Sequence, residues 1–179
     1  MKRSVMELAF AALLTAILFV QQVALSVLPN VHLCAVLILW YTVSFPRLLP
    51  LILPGFLLLE GIFYGFGLWW LSYLYIWPLL ALAALLLRKK ERPAPVWAAL
   101  AGAFGLSFGF LCAIPYFFIG GPAGGISYWI SGIPFDLVHC ASNTLLTLVL
   151  WKPLRTLAGK LERGLRESPP ARRRGKNAD

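Results

Sequence analysis

Six apolar stretches separated by short polar breaks constrain the fold of this chain more than any other feature. They cover approximately residues 5–28, 31–45, 48–64, 68–87, 96–119 and 126–151. Only 13% of the 179 residues are charged, whereas soluble domains carry about 25%. Because so few polar groups are available to cover a surface in water, the sequence predicts one compact helical domain embedded in a membrane.

The positions of the basic residues predict how many times the chain crosses the membrane. Four stretches have the roughly 20 or more residues that a spanning helix needs, whereas the second and third are shorter and are separated by Pro46 and Arg47. With six spans and a cytoplasmic N-terminus, all 16 Lys and Arg fall on one side. Five spans would place Arg47 or the later basic clusters on the opposite side. We therefore expect an all-α, six-transmembrane-helix bundle in the cell membrane, with both termini cytoplasmic.

The C-terminal region differs in composition from the rest of the chain. Leucines at positions 154, 157, 161 and 165 recur at helical spacing among charged residues, which predicts a cytoplasmic continuation of the sixth helix near the membrane surface. From Ser168 onward the sequence is polar and basic, which is typical of disorder. We expect a membrane domain over 1–158 and a cytoplasmic amphipathic and disordered basic tail over 159–179.

Three segments have local features that bear on packing. Pro50, Pro54, Gly55 and Gly61 predict that the third stretch is a poor regular helix, with either a simple proline kink or a functional break. Small residues recur on one face of the fifth stretch, which predicts a closely packed partner helix; they are Ala98, Gly102, Gly105, Gly109 and Ala113. The glycine-rich segment 120–125 predicts a loop, with regular helix resuming near Gly132.

Several function classes have no support in the sequence. The chain has no phosphate-binding P-loop, no nucleophile-elbow motif and no zinc-protease motif. Its three cysteines lie in apolar stretches without a C-x-x-C motif, so we expect neither a disulfide framework nor a metal site. The basic residues lack the interleaved aromatic groove of a nucleic-acid-binding surface. We therefore expect no cofactor and no nucleic-acid partner.

The sixth stretch carries an ionisable pair in an apolar setting. Asp136 and His139 are three residues apart, and Asn143 and Thr147 continue the same helical face. Ionisable groups at membrane depth are costly and often mark functional sites. Two interpretations remain open from the sequence: the pair bonds to neighbouring helices, or it anchors a ligand.

Polar and aromatic residues also gather at the predicted outer ends of the other helices. Apolar walls with a few convergent polar groups are typical of a small-molecule pocket, although aromatic residues at a membrane interface are also ordinary anchors. Besides Asp136, His139 and Asn143, the candidate substrate-binding residues are Glu60, Asn30, His32, Trp69, Trp70, Tyr73, Tyr128 and Trp129.

The chain resembles the substrate-binding S components of energy-coupling factor (ECF) transporters. The resemblance covers most of residues 1–160 and rests on the six short helices, on Ala12-x-x-x-Ala16, and on the run GIPFDLVH followed by Asn143 and KPL. It implies a subunit without catalytic activity that captures a vitamin or related micronutrient on the outer side. It also implies docking to a transmembrane coupling subunit that carries two ATPase subunits.

The resemblance assigns further roles by position. Ala9, Ala12 and Ala16 would form the surface that docks on the coupling subunit, and the segment 120–130 would be a mobile lid over the pocket. No signature of riboflavin, thiamine, biotin or folate binding is present, so the nutrient is not identified. Two other functions stay open: a small membrane enzyme that uses Asp136 and His139 as an acid–base pair, and a cell-envelope scaffold that binds no small molecule.

Overall fold

A computed structural model describes residues 5–167, which form six α-helices and one short 3₁₀ turn without any strand. The helices are α1 (Val5–Ala24), α2 (Cys34–Ser44), α3 (Leu49–Tyr64), α4 (Leu68–Leu87), α5 (Ala94–Ile119) and α6 (Gly121–Glu167), and the 3₁₀ turn Pro46–Leu48 leads into α3. The all-helical prediction is confirmed. The tail from Ser168 onward lies outside the described residues.

Five of these helical segments are long and apolar enough to cross a membrane, and they are α1, the 3₁₀ turn with α3, α4, α5 and α6. The remaining helix, α2, has only 11 residues, which is about 16 Å at 1.5 Å per residue. Nine of its residues are buried, so α2 is covered on all sides by other helices. A short helix can end at membrane depth when surrounding protein shields its exposed backbone groups.

The small residues of α5 are the reason that α6 packs so closely against it. A Cβ atom at Gly105 would lie 2.7 Å from the backbone carbonyl of His139. At Gly102 it would overlap the Thr144 hydroxyl, and at Gly109 the Asp136 carboxylate. The prediction that another helix approaches this face is confirmed, and the closely packed partner is α6.

The predicted loop and lid at the start of the sixth stretch are wrong. Helix α6 begins at Gly121, so segment 120–130 is almost entirely helical. The regular helix therefore starts eleven residues before Gly132, the predicted position. Gly121 has φ +64°, a left-handed conformation that glycine adopts readily and that reverses the chain between α5 and α6. Gly125 is buried, and a side chain there would overlap the Phe117 ring. The glycines therefore allow a tight helical hairpin.

Helix α3 is continuous despite its prolines. It runs from Leu49 to Tyr64 with Pro54 inside it, so the predicted functional break is not present, and the predicted proline kink is compatible with this helix. Pro50 lies in the first turn, where its missing N–H costs no hydrogen bond. Gly55 lies against Thr15 of α1, and a Cβ there would be 3.1 Å from the threonine methyl group.

The two ends of the bundle differ in charge. The turns at one end, residues 25–33, 65–67 and 120, contain no Lys or Arg, and we call this the cation-free end. At the opposite, basic end, Arg88 donates to the carbonyl of Thr42 (3.2 Å) and Arg155 donates to the Ser44 hydroxyl (3.1 Å). The continuous α6 extends beyond the basic end, as the leucine spacing predicts, with Ala158 buried.

Candidate functional site

Four polar residues of α6 lie along one face of the helix and are buried. We call this set the α6 stripe, and its members with their exposed fractions are Asp136 (3%), His139 (0%), Asn143 (1%) and Thr147 (0%). The sequence-based prediction of a polar stripe that descends into the bundle is confirmed. Each member retains at least one buried polar atom without a hydrogen-bond partner in the described part of the chain.

Asp136 is held by the backbone of the neighbouring helix. Its Oδ1 accepts a hydrogen bond from the Gly109 N–H at 2.8 Å, an approach that the missing side chain of Gly109 permits. Its Oδ2 is buried without a partner among the described residues. The carboxylate is thus fixed in position, and one of its two oxygens remains available to a donor.

The His139 imidazole makes ring contacts and no hydrogen bond with any described residue, whereas the His139 carbonyl accepts a hydrogen bond from the Ser142 hydroxyl at 3.2 Å. The imidazole lies 5.0 Å from the His32 ring and 4.8 Å from the Phe108 ring, measured between centroids. Both ring nitrogens are buried without partners. The His139 ring and the Asp136 carboxylate are therefore not hydrogen-bonded to each other.

His32 lies between the membrane-spanning helices, in the turn that joins α1 to α2. Its Nδ1 accepts a long hydrogen bond of 3.4 Å from the Cys34 N–H, and the ring is half-buried. Burial lowers the pKa of His32 to about 4, because removal from water disfavours the charged imidazolium. His32 therefore contributes a neutral ring at pH 7.

A second polar group joins α1, α2 and α3, and we call its four residues the glutamine cluster: Gln21, Gln22, Cys34 and Glu60. Gln21 accepts from the Leu33 N–H (2.7 Å) and donates to Cys34 Sγ (2.9 Å). Gln22 donates to Glu60 Oε2 (2.8 Å) and accepts from Cys34 Sγ (2.8 Å). Only Glu60 Oε1 is buried without a partner in this cluster.

Two adjoining cavities open at the cation-free end. The first, of about 460 Å³, is bordered by Gln22, Leu25, Ser26, Leu28, Pro29, Asn30, His32, Glu60, Tyr64, Trp69, Tyr73 and Phe108. The second, of about 280 Å³, is bordered by Asn30, Phe108, Gly109, Cys112, Tyr128, Ser131, Gly132, Phe135 and Asp136. They share Asn30 and Phe108, so a shift of these two side chains would join them.

Asn30 is positioned by contacts with α6. It has φ +57°, a left-handed conformation that asparagine tolerates better than most residues. Its side-chain amide donates to the Phe135 carbonyl (3.0 Å), and its own carbonyl accepts from the Ser142 hydroxyl (2.8 Å). The turn between α1 and α2 is thereby attached to the middle of α6.

The structure places the predicted site residues in four groups. Glu60, Asn30, His32, Trp69 and Tyr73 border the first cavity, while Asp136 and Tyr128 border the second together with Asn30. His139 and Asn143 are buried beneath the cavity walls; Asn143 donates to the Ala101 carbonyl at 3.3 Å.

Trp70 and Trp129 border neither cavity. The Trp70 indole donates to the Leu57 carbonyl (2.8 Å), and Trp129 packs edge-on against Phe110.

Sequence reasoning missed several residues that form the cavity walls. Phe108 separates the two cavities and contacts His139, yet its position within an apolar helix gives no signal of a special role. Gln21 and Gln22 can be noticed in the sequence as polar residues near the first outer turn, and of the two only Gln22 borders the first cavity. The hydrogen bond from Gln22 to Glu60 depends on how α1 packs against α3, which one sequence does not reveal.

The combined arrangement suits the binding of a small molecule with polar groups. Aromatic side chains and half-buried aliphatic ones supply apolar walls, and Glu60 Oε1 and Asp136 Oδ2 are acceptors without partners in residues 5–167. A ligand with hydrogen-bond donors or a cationic group would satisfy both. Within that same range, no group of three or more His, Cys, Asp or Glu side chains is arranged to hold a metal ion.

Comparisons with known proteins add no relative: no protein-family model, curated protein or solved structure matches this chain.

Proposed function

We propose that this chain is the substrate-capture S subunit of an ECF-type transporter, which imports a vitamin or related micronutrient. In this proposal, the two cavities at the cation-free end receive the nutrient from outside the cell. A coupling subunit and two ATPase subunits supply the energy, because this chain has no nucleotide-binding motif of its own. The protein would cross the membrane six times, with α2 as the short, fully enclosed span.

The observation that carries this proposal is the placement of unsatisfied polar atoms beside an aromatic cavity. Buried polar groups in folded proteins nearly always have hydrogen-bond partners, and exceptions call for an explanation. Glu60 Oε1 and Asp136 Oδ2 belong to residues that border the first and second cavity, respectively. A bound molecule would supply the missing donors to both carboxylates.

The charge difference between the two ends supports the proposed orientation. Described cations lie at the basic end or on the α6 extension beyond it, and cytoplasmic loops of membrane proteins are enriched in Lys and Arg. Placing the basic end in the cytoplasm puts both cavities at the outer surface. A thiol reagent that cannot cross the membrane tests this orientation. Added from outside, it should label Gly121→Cys and should not label Lys90→Cys. Labelling of both from the same side would contradict six spans.

The exposed face of α1 supports the proposed docking role. Ala9, Ala12 and Ala16 are all exposed and follow one another at helical spacing, so a partner helix could approach the backbone there. The paired change Ala12→Trp with Ala16→Trp should abolish uptake while ligand binding remains unchanged. Loss of binding as well would mean that these alanines support the fold rather than a partner.

Native mass spectrometry of the detergent-extracted protein tests nutrient capture directly. We expect one small molecule to remain bound to the wild-type chain. Asp136→Asn keeps an acceptor for the Gly109 N–H but removes the charge, so it should lower ligand occupancy about tenfold or more. Glu91→Gln is the matched control, because it removes a carboxylate at the basic end, and it should retain the ligand. Equal occupancy in both variants, or an empty wild-type protein in cells able to supply nutrients, would refute the proposal.

A further inference from the structure

A third cavity, of about 660 Å³, lies at the basic end, and it shares no lining residue with the two cavities of the proposed nutrient site. It is bordered by Val43, Arg88, Lys90, Glu91, Arg92, Ala94, Trp97, Trp151, Lys152, Arg155 and Thr156. Five of these side chains are basic and one is acidic. This concentration of positive charge around one concave site indicates an anionic ligand.

Two of the five cations already have partners in the protein, and three remain uncommitted. Arg88 donates to the carbonyls of Thr42 and Val43 at the C-terminal end of α2, and Arg155 donates to Ser44. Lys90, Arg92 and Lys152 are exposed and make no side-chain hydrogen bond or ion pair with any residue between 5 and 167. Contacts with the C-terminal end of α2 therefore account for Arg88 and Arg155, but not for the other three cations.

The floor of this cavity is apolar and rigid. The Trp97 and Trp151 rings are stacked with a centroid distance of 4.8 Å, and both are almost fully buried. Trp97 also donates to the Arg92 carbonyl at 3.2 Å, which ties the α4–α5 turn to α5. The start of α5 has no side-chain cap, and its Val96 N–H donates to the Pro93 carbonyl at 3.1 Å.

The location of the cavity favours a lipid over a soluble anion. Its cations come directly after the apolar segments of α4 and α6 in the sequence. The ends of these segments expose Leu86 on α4, and Leu145 and Val149 on α6. Acyl chains would pack on such side chains while the head group meets the cations. Basic pockets between transmembrane helices are a known mode of binding anionic lipid head groups.

We propose that this cavity binds the phosphodiester head group of an anionic membrane lipid. The bound phosphate would contact Lys90, Arg92 and Lys152 and would brace the α4–α5 turn against α6. Because α5 and α6 also carry the nutrient-site residues Gly109 and Asp136, lipid occupancy would stabilise the packing of both helices. The inference does not depend on the identity of any transported molecule.

Native mass spectrometry after exchange into detergent with a defined lipid tests the proposal. We expect one phosphatidylglycerol molecule to stay bound to the protein at a collisional activation energy that removes phosphatidylcholine. Lys90→Gln with Lys152→Gln should lower that occupancy about tenfold or more, and Lys90→Arg with Lys152→Arg should preserve it. Lys160→Gln with Arg163→Gln is the matched control, because it removes two charges from α6 outside the cavity, and it should bind as the wild type does.

Several outcomes would overturn the proposal. Equal retention of phosphatidylcholine would show that no anion is selected. An equal loss of lipid in the Lys160/Arg163 control would show that net charge, rather than this cavity, holds the lipid. Full competition by millimolar glycerol phosphate would identify a soluble phosphate compound as the ligand, and displacement of the lipid by a copurifying acidic polypeptide would identify a protein partner. Circular dichroism and size-exclusion profiles establish that each variant is folded.

Discussion

The glutamine cluster and the α6 stripe are both polar groups enclosed in an apolar bundle, but their hydrogen bonding differs. In the glutamine cluster, Gln21, Gln22 and Cys34 satisfy one another and the Leu33 N–H, and only Glu60 Oε1 lacks a partner in the described chain. In the α6 stripe, five buried atoms lack partners there. Burial alone therefore does not separate the two regions, whereas the number of unsatisfied atoms does.

The same comparison predicts different consequences of mutation. Removing a group from a satisfied network leaves its former partners buried and unpaired, which lowers the free energy of unfolding. Removing a group that has no partner takes away a desolvated polar atom and leaves stability unchanged or higher. Stability and ligand retention should therefore separate between the two regions, and the following variants test this separation.

The largest effect should come from a side chain that prevents α6 from packing closely against α5. Gly105→Leu places a side chain where even a Cβ atom would lie 2.7 Å from the His139 backbone, and backbone cannot rotate away. We expect a loss of about 3 kcal/mol in the free energy of unfolding, or failure to fold. Gly159→Leu is the control, since no heavy atom lies within 4 Å of a Cβ there, and it should be neutral or slightly stabilising. Thermal unfolding in detergent measures both; similar midpoints would show that α6 can move away from α5.

Substitution within the glutamine cluster should have the next largest effect. Gln21→Leu removes the acceptor of the Leu33 N–H and the donor to Cys34 Sγ, although Gln21 borders neither cavity. We expect a loss of about 1–3 kcal/mol in unfolding free energy, with ligand occupancy unchanged in the molecules that remain folded. Ser107→Ala is the control, because its hydroxyl donates only to carbonyls of its own helix. If Gln21→Leu lost the ligand but kept its stability, the glutamine cluster would be a binding region rather than a structural one.

Much of the architecture could be predicted from periodicity and composition, because these follow from one helix at a time. The predicted boundaries of α4, Leu68–Leu87, match the structure, and so does the small-residue face of α5. The glycine-rich segment after Ile119 was predicted incorrectly, since glycine serves both a flexible loop and a tightly packed helix. At Gly125 the glycine serves tight packing, because a side chain there would overlap the Phe117 ring of the adjacent helix.

The candidate site was predictable only in part for a related reason. The spacing of Asp136, His139 and Asn143 identifies a shared helix face without any knowledge of neighbouring helices. Whether an atom on that face has a partner depends on the depth and rotation of α5, as the bond from Gly109 to Asp136 illustrates. The roles of Phe108 and Gln22 likewise arise from contacts between segments distant in sequence.

A smaller effect on stability, and of the opposite sign, is expected within the α6 stripe. His139→Leu replaces a ring whose two nitrogens have no partner in the described chain with an apolar side chain of similar size. We expect the free energy of unfolding to stay the same or rise by about 1 kcal/mol. Ligand occupancy should fall, because the His139 ring packs against His32 and Phe108, which form the cavity walls. Chemical unfolding and native mass spectrometry on the same samples measure the two quantities. A marked loss of stability would place His139 with the structural residues instead.

The smallest effect should appear as a pH dependence that originates outside both regions, at His32. Because burial lowers the pKa of His32 to about 4, the unfolded chain, with a pKa near 6.5, binds more protons between these values. Stability contributed by the neutral ring is therefore fully present above pH 6.5 and declines as the pH falls toward 4. Between pH 7 and pH 6 we expect wild type to lose about 0.7 kcal/mol more than His32→Phe, measured by chemical unfolding in buffered detergent. Parallel pH profiles would mean that water reaches the His32 ring and that burial does not lower its pKa.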